Sequence, residues 1–206
     1  MLIPHKDLAA LCSYSYKYRT YTIDECEVLL LKRGNTQLII PRGTEAAEVR
    51  FIFKEGGWLD ILRDIRVFPW YDKDFGWGHA GFIKGGREIA DFLEDKLSKD
   101  VPIILIGHSM GASLSLVVMA KLLAKGFKVI ERVGFAEPKS QLSKRTWGVK
   151  QTIYRYRSDI VPLMPRYTPY RHNIPIVQLS EDVNRKPTWD DHAIELYIES
   201  LRHNQA

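Results

Sequence analysis

The sequence predicts an α/β protein with a mostly parallel central sheet, helices on both faces and an antiparallel hairpin near the N-terminus. Three observations carry that prediction. Val101–Ile106 is a short apolar run, largely β-branched, of the kind that is buried on both faces of a parallel sheet. It leads into Ala112–Lys125, where Leu114, Val117, Val118, Lys121 and Leu122 recur at helical spacing and Gly126 stands at the stop position. Beyond residue 80, strand-like and helix-like runs alternate, which is the pattern of parallel strands joined by helical crossovers.

The bulk properties narrow the class. At 206 residues the chain has the size of one domain, 1–206, able to bury about 70% of its unfolded surface without staples. With 45% hydrophobic and 27% charged residues and no repeat or low-complexity tract, the composition is that of a globular protein rather than a disordered or fibrous one. The net charge of +5 and pI near 9.1 favour anionic surfaces, but no basic arm or recognition motif points to nucleic acid. Met1–Asp7 lacks the basic region and apolar core of a secretory signal, and no run reaches the length of a membrane span. The expected setting is therefore cytoplasmic, or release without a classical signal peptide. Cys12 and Cys26 are too few for a disulfide framework and are expected to be free thiols. Oligomeric state is left open.

In chain order, His5–Tyr18 has a mixed helical pattern. Glu27–Leu31 and Thr36–Ile40 flank Lys32-Arg33-Gly34-Asn35, a hairpin signal. Arg42-Gly43-Thr44 then forms a loop at the carboxyl end of the second strand, where open α/β sheets place ligands. Val49–Phe53 reads either as a short strand or as part of a flap, and Trp58–Ile65 as one amphipathic helix. Tyr71–Phe82 is rich in aromatics and glycine, and Gly85–Lys99 is expected to be a helix. Further strands are expected at Lys128–Phe135 and Gln151–Tyr156, a last strand or a hairpin around Pro175 over His172–Leu179, and a closing helix over Trp189–Leu201.

The chemistry gathers at Gly107-His108-Ser109-Met110-Gly111, a G-x-S-x-G pattern lying where a buried strand feeds straight into a helix. That context is what a nucleophile elbow needs: a strained turn that lifts the serine oxygen above the sheet, flanked by glycines because a Cβ would collide. The plainer reading is a tight turn whose serine caps the helix. An elbow serine needs a histidine to take its proton and an acid to orient that histidine. The α/β-hydrolase order of nucleophile, acid, histidine places both downstream of Ser109. Asp159, directly after a strand, is the first candidate for the acid, with Glu137 as its competitor. His192, just before the closing helix, is the first candidate for the base, ahead of His172 and His203. Asp190 and Asp191 suit the N-terminal end of that helix. Oxyanion donors are expected from the Met110 backbone N–H and from Thr44. Trp70, Phe75, Trp77 and His108 are the substrate-contact candidates, the aromatics either lining an acyl groove or dipping into a lipid interface.

Assembled in this order, the residues resemble the class 3 lipase family, the fungal-lipase-like branch of the α/β hydrolases. The resemblance runs through Arg42-Gly43-Thr44, Trp58-Leu-Asp-Ile-Leu62, His79-Ala-Gly-Phe82, the elbow, Gly134-Phe-Ala-Glu-Pro138, Asp159-Ile-Val-Pro162 and His192 with Tyr197 and Leu201. It implies an α/β-hydrolase fold and hydrolysis of carboxylic esters, often triacylglycerols or other lipids, without metal or cofactor. Ser109 would be nucleophile, Asp159 acid, His192 base and Thr44 an oxyanion donor beside Met110. The chain departs from the secreted fungal members in being shorter, in lacking their signal sequence and disulfides, and in having Glu137 after Ala136.

Overall fold

The computed structural model describes residues 3–18, 20–43, 68–180 and 186–203. Helix α1 (His5–Lys17) precedes strands β1 (Tyr21–Ile23), β2 (Cys26–Arg33) and β3 (Thr36–Pro41). A second hairpin, β4 (Pro69–Asp72) and β5 (Gly76–His79), runs directly into α2 (Ala80–Leu93). Then come β6 (Ile103–His108), α3 (Met110–Ala124), β7 (Val129–Phe135), β8 (Lys150–Arg155), β9 (Ile176–Gln178) and α4 (Ile194–His203). The main sheet has the order β1-β2-β3-β6-β7-β8-β9. β1, β2 and β3 pair antiparallel, and every later neighbour pairs parallel. The expected hairpin and parallel sheet are both present.

Strand alternation divides the core into two layers. On β6, Ile103 and Leu105 face one side with Val28, Ile39 and the residues of α2 and α3. Ile104 and Ile106 face the other with Leu8 and Cys12 of α1 and Ile194, Tyr197 and Leu201 of α4. Helices therefore cover both faces. Every residue of α3 from Gly111 to Leu122 is buried. The β4–β5 hairpin closes its outer side: Lys121 is anchored to Asp72 at 2.6 Å and Asp74 at 2.8 Å, so even its ammonium group is neutralised under cover.

Two helix boundaries differ from expectation. α2 begins at Ala80, not Gly85. Gly85 and Gly86 lie inside it because a Cβ at either would collide with Cys26 and Leu114 or with Val117, so these glycines mark close packing rather than a helix start. The closing helix is broken: Asp190–His192 forms a 3-10 turn, Ala193 is extended, and α4 starts only at Ile194. Asp191 does not cap that helix; it accepts the Ser158 N–H at 3.0 Å. The expected elements at Val49–Phe53 and Trp58–Ile65 lie outside the described residues.

Candidate active site

The elbow is built by two glycines and a strained serine. Ser109 has φ 57° and ψ −132°, a region that L residues seldom occupy, and its side chain makes no capping hydrogen bond to α3. The strain is held from both sides. The Ser109 N–H donates to the Phe135 carbonyl at 2.9 Å on the neighbouring strand, and the Ala112 N–H donates to the Ser109 carbonyl at 2.9 Å. A Cβ at Gly107 would overlap the first turn of α3, and one at Gly111 would overlap the Pro41 carbonyl. The loop after β3 therefore threads directly against the elbow. At Gly43 an added Cβ would stand 2.7 Å from both the His108 carbonyl and the Tyr16 hydroxyl.

The three residues singled out from the sequence come together above this turn. Ser109 Oγ lies 3.0 Å from His192 Nε2. His192 Nδ1 lies 3.0 Å from Asp159 Oδ2 and 3.2 Å from Oδ1. A carboxylate facing a ring nitrogen fixes the proton on Nδ1, which leaves the Nε2 lone pair toward the serine hydroxyl. Asp159, fully buried, also accepts the Val161 N–H at 2.9 Å and the Tyr197 hydroxyl at 2.6 Å, which compensates the burial of its charge. Burial, and then the Asp159 charge, push the Tyr197 hydroxyl well above its usual pKa, so it remains a donor.

Backbone pairing sets the distance between Asp159 and His192. Asp159 bridges Thr188 in parallel, the Ile160 N–H donates to Thr188 at 3.1 Å and the Thr188 N–H donates to Ser158 at 2.9 Å. With the Ser158–Asp191 bond, this zips the loop carrying His192 onto the loop carrying Asp159. The rival candidates are committed elsewhere. Glu137 forms a wholly buried ion pair with Arg132, and His172 Nε2 donates to the Pro162 carbonyl at 2.8 Å.

Met110 opens α3, so its N–H is among those that have no partner within the helix. Thr44 lies outside the described residues. Two of the substrate-contact candidates require correction. Phe75 is fully buried and stacks on Trp147, 5.7 Å between ring centroids, so it fills core space beneath the hairpin rather than lining a groove. His108 is also buried, and both its nitrogens are engaged: Nδ1 with the Tyr16 hydroxyl at 3.0 Å and Nε2 with the His192 carbonyl at 2.9 Å. Its ring is held between Tyr16 and His192 and has no nitrogen left to offer a substrate. Trp70 and Trp77 are about half exposed on β4 and β5. Trp70 closes a cleft with Ile83, Lys84 and Arg87, and Trp77 packs on Tyr71. Tyr16 and Tyr197 were not singled out from the sequence as site residues. Their signal was a phenol on the apolar face of a helix, a polar tip that must find a partner once buried.

Sheet order, strained elbow and the Ser-His-Asp line together define the α/β-hydrolase fold. No family model matches the chain. Among solved structures, it is similar to the Lip2 lipase of Yarrowia lipolytica, at 20% identity and a TM-score of 0.57 over 79% of this chain and 63% of that one. It is also similar to the Rhizomucor miehei lipase in its propeptide complex, at 16% identity and a TM-score of 0.52 over 72% of this chain and 50% of that one. A mutant of the MDLA protein of Penicillium cyclopium matches at 14% identity and a TM-score of 0.52, over 84% of this chain and 66% of that one. The match thus spans between half and two thirds of the length of these fungal proteins.

Proposed function

We propose that the protein is a serine carboxylic ester hydrolase that acts on lipid or other acyl esters through an acyl-enzyme. The observation that carries this reading is the unbroken line from Ser109 Oγ through His192 to Asp159, each link near 3.0 Å. In the reaction, His192 Nε2 takes the Ser109 proton as Oγ attacks the ester carbonyl, and Asp159 stabilises the imidazolium that results. The Met110 N–H, with a donor from the loop after β3 for which Thr44 is our candidate, receives the developing oxyanion. His192 then gives its proton to the departing alcohol. Water, deprotonated by the same nitrogen, attacks the acyl-enzyme, and collapse of the second tetrahedral adduct returns Ser109 and releases the acid. This chemistry calls for no metal or cofactor.

Two of the fungal structures that share the fold, Lip2 and the Rhizomucor miehei protein, are lipases by name, which favours a lipid ester as the substrate class. Ser109→Ala is expected to lower kcat for a p-nitrophenyl ester by about a million-fold, with the fold unchanged by circular dichroism. A variant as active as the parent would remove the mechanism. Turnover that rises sharply once a triglyceride forms droplets is the expected mark of lipase action, and a flat response would assign the enzyme to soluble esters.

A further inference from the structure

We propose that the β4–β5 hairpin, together with the loops 139–147 and 163–171, forms a face that docks on an anionic lipid surface. The proposal gives the hydrolase reading a substrate surface, but docking can be measured without turnover.

The charge is unevenly distributed. Residues 138–179 hold eight Lys and Arg but one carboxylate, Asp159, while the rest of the chain has slightly more acid than base. The whole positive excess of the protein therefore lies in this segment. No short basic arm marks it in the sequence, because the cations are spaced by apolar and aromatic residues. Elsewhere the cations are commonly paired, as Lys121, Lys125 and Arg132 are. By contrast, Lys144, Arg145, Arg166 and Arg171 are exposed and have no acidic partner among the described residues.

Backbone pairing makes the three segments contiguous. Gln141 bridges Gly78 of β5 on one side and Arg171 on the other. The Leu142 N–H donates to the Trp77 carbonyl at 3.0 Å, and the Lys139 N–H donates to the Met164 carbonyl at 2.7 Å. The same assembly carries exposed rings. Tyr71 and Trp77 pair across the hairpin with centroids 5.6 Å apart, Phe68 is 73% exposed and Tyr167 is wholly exposed. Arg145 lies 5.5 Å from the Trp147 ring. The two loops follow β7 and β8; the last residue of β7, Phe135, accepts the Ser109 N–H, and Asp159 lies shortly after β8.

Unpaired cations beside exposed aromatics suit the headgroup layer of a membrane. Amphipathic rings partition to that depth, and each cation gains from the negative surface potential without leaving water. A purely apolar partner would leave the four cations uncompensated.

The test uses the full chain as Ser109→Ala, so that no lipid is consumed. It is sedimented with vesicles of phosphatidylcholine alone or mixed with phosphatidylglycerol. We expect binding to the mixed vesicles only, weakening as salt rises, with a blue shift of tryptophan emission. Replacing Lys144, Arg145, Arg166 and Arg171 together by Glu should lower the partition by a hundredfold or more, on the order of fivefold for each cation withdrawn. In the Ser109 background the same replacements should leave turnover of a soluble ester within twofold, which also reports that the variant folds; the corresponding Gln variant serves if the Glu variant does not. Equal binding to both vesicles, no binding to either, or full binding by the charge-changed variant would overturn the proposal. So would tighter binding of a single-stranded RNA that displaces the vesicles. Vesicle binding by a protein with no esterase activity would keep the docking face and discard the hydrolase reading, and the reverse result would do the opposite.

Discussion

Tyr16 shows how far a single hydroxyl reaches. The His192 carbonyl can only accept, so His108 Nε2 must carry the hydrogen and Nδ1 must accept from Tyr16. Burial, and then the proximity of His192, hold the His108 pKa well below the ordinary histidine value, so the ring stays neutral. A neutral ring stacked 4.8 Å from His192 does not oppose the imidazolium that the proposed mechanism requires. The Gly43 amide also acts on the Tyr16 oxygen, joining α1 to the loop after β3. Tyr16→Phe is therefore expected to lower kcat about ten- to a hundredfold with KM nearly unchanged. Combined with His108→Ala, it should add little to the loss caused by the latter alone. Independent losses, or a loss that appears only as a lower Tm, would reduce Tyr16 to a packing residue. That Ser109, Asp159 and His192 would come together was legible because the elbow and the chain order constrain them. Tyr16 and Tyr197 were not, because a buried phenol on a helix looks like core until its partner is located.

The elements matter through their joints. Arg132 of β7 is fully buried, donating to the Ser115 hydroxyl at 3.0 Å and the Ala112 carbonyl at 2.8 Å while pairing with Glu137. It thereby ties the first turns of α3, and with them the elbow, to the exit of β7. Glu137 looked from the sequence like a second possible acid; its carboxylate is instead the counter-charge of this joint. Glu137→Leu should cost about 3–5 kcal/mol in urea unfolding because Arg132 would be left buried and unpaired. Replacing both by leucine should cost less, and a double variant weaker than the single one would contradict that account. Strand positions were readable from β-branched runs, whereas the start of α2 and the break at Ala193 depend on close approach and on loop pairing, which leave no periodic trace.

At the scale of the molecule, the buried His79 and His108 and the partly buried His172 shape how the fold responds to acid. Burial pushes His79 down to about 4, and burial also lowers His108 and His172. The unfolded chain binds these protons from about pH 6.5 downward, while the folded chain resists them. Their contribution to stability is therefore complete above about pH 6.5 and is lost as the pH falls toward 4, His79 alone accounting for about 2–3 kcal/mol. Urea midpoints taken across that interval should fall steadily, and a flat or rising profile would contradict the burial of these rings. The alternation of strands and helices made the overall architecture legible. The merging of distant loops into one basic face was not, since it arises from pairing between segments far apart in sequence. The most direct test of the central claim is covalent trapping with a fluorophosphonate, followed by mass mapping of the labelled peptide. The account predicts a single adduct on Ser109, formed at least a thousandfold more slowly in His192→Ala, on the order of what a triad partner contributes. Labelling elsewhere, or a rate that does not depend on His192, would contradict it.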